Sequence, residues 1–270
     1  MFDNLAPFLI LIAIVLSYIA VWRKYLTLEG AIAANIIGLI ILYFNGSRFF
    51  IILLVAFFIA NLATRYKIEE KIKIKFVIKK KPIRSWENVL ANGLPLIILG
   101  MLEATWHSNF FVLGYVAANA SFLSDTVSTE IGVVSKDNPY LITNLSKTQR
   151  GRSGAISLKG TIAGILSAAL LSFISYFLLP EDFMVAIYSI IIITFSATLA
   201  NLTDSFLGAT IQAIYYCGYC NTYSEEKIHT CGNKSKKVSG VSIINNHVVN
   251  FISNMIGAII AVLISYFFIY

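Results

Sequence analysis

Long apolar runs alternate with short polar and basic segments along the whole chain. Runs at roughly 5–22, 28–45, 48–64, 88–106, 109–131, 156–179, 183–208 and 243–269 each approach the ~20 residues that cross a hydrocarbon core. The pattern predicts an all-α polytopic membrane protein with about eight transmembrane helices, organised as a single integral membrane domain over 1–270. No small-residue cleavage pattern follows the first run, which is read as a retained span.

Composition agrees with this reading: 57% of the 270 residues are hydrophobic and 13% are charged. Charge then orients the chain. All of the 21 Lys and Arg residues except Arg48 fall in 23–24, 65–87, 132–159 and 217–242, the segments at one end of the predicted spans. The positive-inside rule places these segments in the cytoplasm and both termini outside, as in a multi-pass protein of the cell membrane. The net charge of +7 is thus mainly a topological signal, and no nucleic-acid partner is expected.

The basic stretch within 65–87, RYKIEEKIKIKFVIKKKPIR, interleaves cations with Ile, Phe and Val. It reads as a cytoplasmic interfacial loop drawn to anionic membrane lipids, with direct handling of a phosphorylated substrate as the other reading. Its spacing mixes alternation with helical periodicity and does not decide between strand and helix.

The fifth run ends in SFLSDTVSTEIG. Gly114, Ala118, Ser121, Asp125, Ser128, Thr129 and Gly132 recur at helical spacing and form one small, polar face. Close helix packing accounts for the small residues. It does not account for Asp125, because an ionised carboxylate facing lipid costs at least ~2.5 kcal/mol. Glu130 lies five residues on, about 140° around an ideal helix, so the two acids do not share a face. Either the helix breaks between them or each has its own partner.

A second stripe, Thr194, Thr198, Asn201, Asp204, Ser205, Gly208 and Gln212, ends at the same side. The apolar segment containing it would span about 51 Å as one helix, which predicts a break or bend near 201–208. A third stripe follows on the last run: Asn246, Asn250, Ser253 and Gly257. Between them, PYLITNLSKTQRGRSGAISLKG carries Lys147, Arg150, Arg152 and Lys159 among glycines. Glycines let backbone amides approach oxygens, and arginines donate in pairs to phosphate. An ordinary positive-inside loop is the competing reading.

All three cysteines fall in CGYCNTYSEEKIHTCG, giving Cys217, Cys220, His229 and Cys231 in a C-x2-C-x8-H-x-C arrangement within a cytoplasmic loop over 217–240. Four soft ligands at this spacing suit one structural Zn²⁺ in a closed tetrahedral shell. Reduced thiols without metal, or a disulfide, are the alternatives.

ANG at 91–93, SDTVSTEIG, PYLIT with RGRSGAISLKG, TDSFLGATIQ, the cysteine loop and NNHVVNFIS at 245–253 occur in an order that resembles the transmembrane protein 19 and phytyl-phosphate kinase family of integral membrane proteins. The resemblance covers about two thirds of the chain, with Val127 where the family pattern carries tryptophan. Through its plant kinase member it implies phosphoryl transfer from a nucleoside triphosphate, CTP in particular, to an isoprenyl monophosphate. The resulting expectation is a membrane polyprenyl-phosphate kinase. Asp125, Glu130 and Asp204 would be the catalytic acids, with Asp125 and Asp204 holding Mg²⁺. Asn92, Lys147, Arg150, Arg152, Lys159, Asn201, Ser205, Asn246 and Asn250 would bind nucleotide or lipid phosphate. The rivals are a lipid or ion transporter or flippase, which would use the same acids as a midplane site, and a cytidylyltransferase that makes a CDP-lipid.

Overall fold

The computed structural model describes residues 5–72, 74, 83–179, 186–229 and 231–268. Among them are eight long apolar helices: α1 (Ala6–Trp22), α2 (Leu28–Asn45), α3 (Ser47–Arg65), α5 (Trp86–Trp106), α6 (Asn109–Val134), α7 (Leu158–Leu178), α8 (Ala186–Thr210) and α9 (Asn246–Phe268), with the one-turn α4 (Ile68–Ile72) after α3. Seven of them are long and apolar enough to cross a membrane, and α1, with 17 residues, is the short one. At 1.5 Å per residue α1 spans about 26 Å, slightly less than a ~30 Å hydrocarbon core.

The helices begin where the sequence supplies caps. Thr27 accepts the Gly30 N–H at 3.0 Å and Ser157 accepts the Gly160 N–H at 3.2 Å, so each hydroxyl satisfies a free donor in its helix's first turn. Gly46, at φ 80°, lets the chain reverse between α2 and α3.

α6 is the central helix, packed against α3, α5, α7, α8 and α9. Every residue from Val112 to Leu123 is buried, as is Ser124, although α6 is no more apolar than its neighbours. Its small residues explain this. A Cβ on Gly160 of α7 would lie 2.7 Å from Ser128 O of α6, and one on Gly164 would lie 3.0 Å from Ser124 O. The α6–α7 contact therefore depends on glycine, as expected for helices in lipid. Tyr115 of α6 donates to Phe49 O of α3 at 2.9 Å and fixes another neighbour.

One expectation about helix shape changes, and one open alternative is decided. α8 runs unbroken through 201–208 to Thr210, where the expected break would have been. The chain leaves the helix at 211–213 instead, and Ala213 N–H bonds Ile244 O at 2.8 Å, so excess length is avoided by ending the helix. α6 also continues unbroken past Asp125 and Glu130 to Val134. The two acids therefore face different partners. The sequence Pro180-Glu181-Asp182, a short cation-poor segment between two of the predicted spans, lies outside the described residues.

Between α6 and α7, strands β1 (Tyr140–Leu141) and β2 (Ala155–Ile156) pair antiparallel and close the glycine-rich loop at its base. After α8, β3 (Ile214–Cys217), β4 (Thr222–Ser224) and β5 (Lys236–Ser239) form a small antiparallel sheet ordered β4-β3-β5. These strands sit at the end of the bundle that carries the basic segments.

Candidate functional site: a polar cavity at the basic end of the bundle

A cavity of about 380 Å³ opens where α5, α6, α8 and α9 meet the two loops. Asp125, Glu130, Asp204, Asn92, Arg150, Arg152, Ser205, Asn246 and Asn250 all line it. Three predicted positions do not. Lys147 is exposed in the hairpin that pairs it with Tyr140, and Lys159 is 60% exposed with its ammonium 3.1 Å from Asp137. Asn201 is buried between helices, where it donates to Ser124 Oγ at 3.4 Å and serves packing.

Asp204, on α8, is held from α9. Ser253 donates to Asp204 Oδ2 at 2.9 Å, and the Asn250 amide, turned so that its nitrogen faces the acid, reaches the same oxygen at 3.3 Å. Asp125, on α6, lines the same cavity and is close enough for its charge to act on Asp204. A third carboxylate comes from outside the helices: Glu225, just after β4, acts electrostatically on both aspartates. Sequence reasoning missed Glu225 because nothing in SEEK distinguishes it from an ordinary solvated acid. Among the described residues, none of these three carboxylates is in ion-pair contact with a cation.

Glu130 is used differently. Lys71, at the end of α4, places its ammonium 2.8 Å from Glu130 Oε2, 2.9 Å from Ala63 O and 3.2 Å from Thr64 O. Its three donors meet three acceptors. Lys71 is 2% exposed, so this cation of the loop is turned into the bundle. Arg84, at the far end of the same loop, also turns inward and lines the cavity. Burial pushes its guanidinium down to about 10, against the opposing influence of Glu130 and then Asp125, so it stays cationic at neutral pH. The intervening residues 75–82 lie outside the described residues.

The glycine loop faces the acids. Gly151 and Gly154 adopt φ of 79° and 78°, and a Cβ on Gly154 would strike Ala209 of α8. Glycine is thus required to seat the loop against α8, just beyond Asp204. Ser153 bonds to Glu225 through its hydroxyl and accepts from the Gln212 amide at 3.3 Å, joining the loop to the β-sheet module.

The module is organised by its cysteine cluster. The donor atoms of Cys217, Cys220, His229 and Cys231 lie within 4.8 Å of one another. Cys217 Sγ and Cys231 Sγ are 3.7 Å apart, with no disulfide among the described residues. Tetrahedral Zn²⁺ with Zn–S bonds of ~2.3 Å places sulfurs ~3.75 Å apart, so the geometry fits zinc. A hydrogen bond from the Asn233 backbone and then the His229 ring push the Cys231 thiol down to about 6, while the bond to Cys231 pushes the Cys220 thiol up to about 11.

Helix order, cavity and cysteine module together define a polytopic helical membrane protein with an acidic and basic cavity at one end. Residues 11–258 match the integral membrane protein family DUF92, and the chain belongs to that family. An uncharacterized membrane protein of Methanocaldococcus jannaschii is 34% identical over 94% of this chain and 92% of its own length. Two Arabidopsis thaliana relatives are each 28% identical: protein PGR, over 91% of both chains, and the chloroplastic protein VTE6, over 90% of this chain and 66% of its own. This family is consistent with the one that the motifs resemble. No solved structure matches.

Proposed function

We propose that the protein is a membrane kinase that transfers the γ-phosphoryl group of a nucleoside triphosphate, CTP in the family reading, to an isoprenyl monophosphate. The observation that carries this reading is the placement of Asp125, Asp204 and Glu225 in one cavity with Arg150, Arg152 and the Gly151–Gly154 turn. Clustered carboxylates are hard oxygen donors suited to Mg²⁺, and an arginine-bearing glycine turn suits phosphate. The resemblance of the motifs to the phytyl-phosphate kinase family suggests the substrate class.

In this reading Asp125 and Asp204 hold Mg²⁺, with Ser253 and Asn250 fixing the orientation of Asp204. Bound Mg²⁺ would neutralise charge on the β- and γ-phosphates. Arg150, Arg152 and the glycine turn receive the donor phosphates. An oxygen of the lipid monophosphate forms the new bond to the γ-phosphorus. The bond to the β,γ-bridging oxygen breaks, and its electron pair leaves with the nucleoside diphosphate. The acceptor oxygen is already anionic, so no side chain need remove a proton, and Glu130 remains the partner of Lys71. The basic end faces the cytoplasm, where the nucleotide is found, as the distribution of cations favours.

Asp125→Asn and Asp204→Asn should each lower turnover by about a hundredfold or more, with unchanged detergent elution profiles. Full turnover by both folded variants would refute the mechanism.

A further inference from the structure

A second cavity, of about 400 Å³, lies deeper among α1, α2, α3 and α5. Its wall is apolar, with Leu16, Ile37, Leu53, Leu54 and Leu96 among its residues. The polar groups that line it alone are turned to protein partners: Asn35 donates to Ser17 Oγ and Ala31 O, each at 2.9 Å, Asn61 donates to Phe57 O at 2.8 Å, and Arg65 lies over the Tyr25 ring and donates to Arg23 O and Lys24 O, each at 3.4 Å. Arg84, Asn88, Asn92 and Phe122 line both this cavity and the polar one, so the two adjoin along these four residues.

At that boundary Arg84 has a fixed backbone and an unspent side chain. Its N–H donates to Tyr25 O and its carbonyl accepts from Thr27 N–H, both at 3.0 Å, so the α1–α2 turn holds it in place. The guanidinium sits 5.7 Å from the Phe57 ring centroid and 5.2 Å from that of Phe122. Among the described residues, no carboxylate pairs with it. The neighbouring asparagines, by contrast, are engaged. Asn88 accepts from Ser85 N–H at 3.3 Å and its amide nitrogen is 3.2 Å from His247 Nδ1, whereas Asn92 accepts from Asn254 and donates to Asn88 O, both at 2.9 Å. A cation at the mouth of an apolar cavity, acted on by Glu130 and Asp125 but in ion-pair contact with no carboxylate among the described residues, is suited to an anionic head on a hydrocarbon tail.

We infer that Arg84 binds the phosphate of the acceptor lipid, and that the apolar cavity among α1, α2, α3 and α5 holds its single hydrocarbon chain. This rests on the kinase reading for the word acceptor, but the binding itself needs no nucleotide. The cavity falls in the lower part of the ~300–1,000 Å³ range that encloses one small ligand, which favours one chain over two. The acceptor then approaches from within the membrane while the donor enters at the glycine loop, and the acids lie between.

The test measures binding of geranylgeranyl monophosphate to the full-length protein in detergent, without nucleotide or Mg²⁺, beside geranylgeraniol, inorganic phosphate and phosphatidate. Wild type should bind the lipid monophosphate most tightly. Arg84→Gln should weaken it by at least about tenfold, and Arg84→Lys should weaken it less, since it keeps the charge and loses the fork. A photoreactive prenyl phosphate on wild type should label the cavity wall at buried positions such as Ile37 or Leu96, which keeps the test decisive if the Arg84 variants do not fold. Equal binding by folded Arg84→Gln, equally tight phosphatidate, no lipid monophosphate binding, or labelling confined to outer helix faces would overturn the inference. Arginine-dependent binding without phosphoryl transfer would leave the inference standing and remove the kinase reading. Turnover with an unchanged KM in Arg84→Gln would do the reverse.

Discussion

Lys71 Nζ lies 2.8 Å from Glu130 Oε2, joining the short α4 to the central helix α6 through a lysine that is 2% exposed. The pair explains why a membrane helix carries two acids five residues apart: Glu130 anchors the loop that follows α3, and Asp125 faces the cavity. Both carboxylates line the cavity, but along the unbroken α6 only Glu130 is placed to pair with Lys71.

Removing one member of this pair leaves the other charge without compensation. Lys71→Met should destabilise the protein by about 2–3 kcal/mol, below the full cost of breaking a buried pair because Glu130 is 21% accessible. Glu130→Gln should cost somewhat less. Thermal unfolding in detergent would reveal coupling: the double variant should be more stable than the sum of the single losses predicts. Strict additivity would mean that the contact contributes nothing.

The α6–α7 contact makes a similarly local prediction. Gly164→Ala would place a methyl group 2.9 Å from Asn201 Nδ2 and 3.0 Å from Ser124 O, and should cost about 1–3 kcal/mol despite the better helix propensity of alanine. Gly218→Ala meets nothing within 4 Å and should leave the unfolding midpoint unchanged. A neutral Gly164→Ala would show that the two helices can separate without loss.

If zinc organises the β-sheet module, purified protein should contain about one zinc per chain by elemental analysis, and Cys231→Ser should hold it less tightly. The module carries Glu225, which bonds Ser153 of the glycine loop, so stripping the metal should also lower nucleotide turnover. Glu225→Gln should lower turnover with zinc content unchanged. Full activity in metal-free protein would separate the module from the site.

Much of this organisation is legible in the sequence because bilayer thickness sets the length of apolar runs and helical spacing sets which polar residues share a face. The three stripes carrying Asp125, Asp204 and Asn250 do converge. Lys71 and Arg84 were harder to read: nothing in a run of lysines and isoleucines says which cations fold back into the bundle. Glu225 depends on a sheet whose position follows from the cysteine cluster and from where α8 ends. Asn201 shares the helical face of Asp204 but is one turn deeper, which is enough to place it between helices and out of the cavity.

The most direct measurement supplies purified protein with Mg²⁺, radiolabelled CTP or ATP and a prenyl monophosphate, then separates the products. The account predicts labelled prenyl diphosphate and nucleoside diphosphate, both lost in Asp125→Asn and Asp204→Asn. A CDP-lipid with released pyrophosphate, or no nucleotide turnover with any prenyl phosphate, would contradict it.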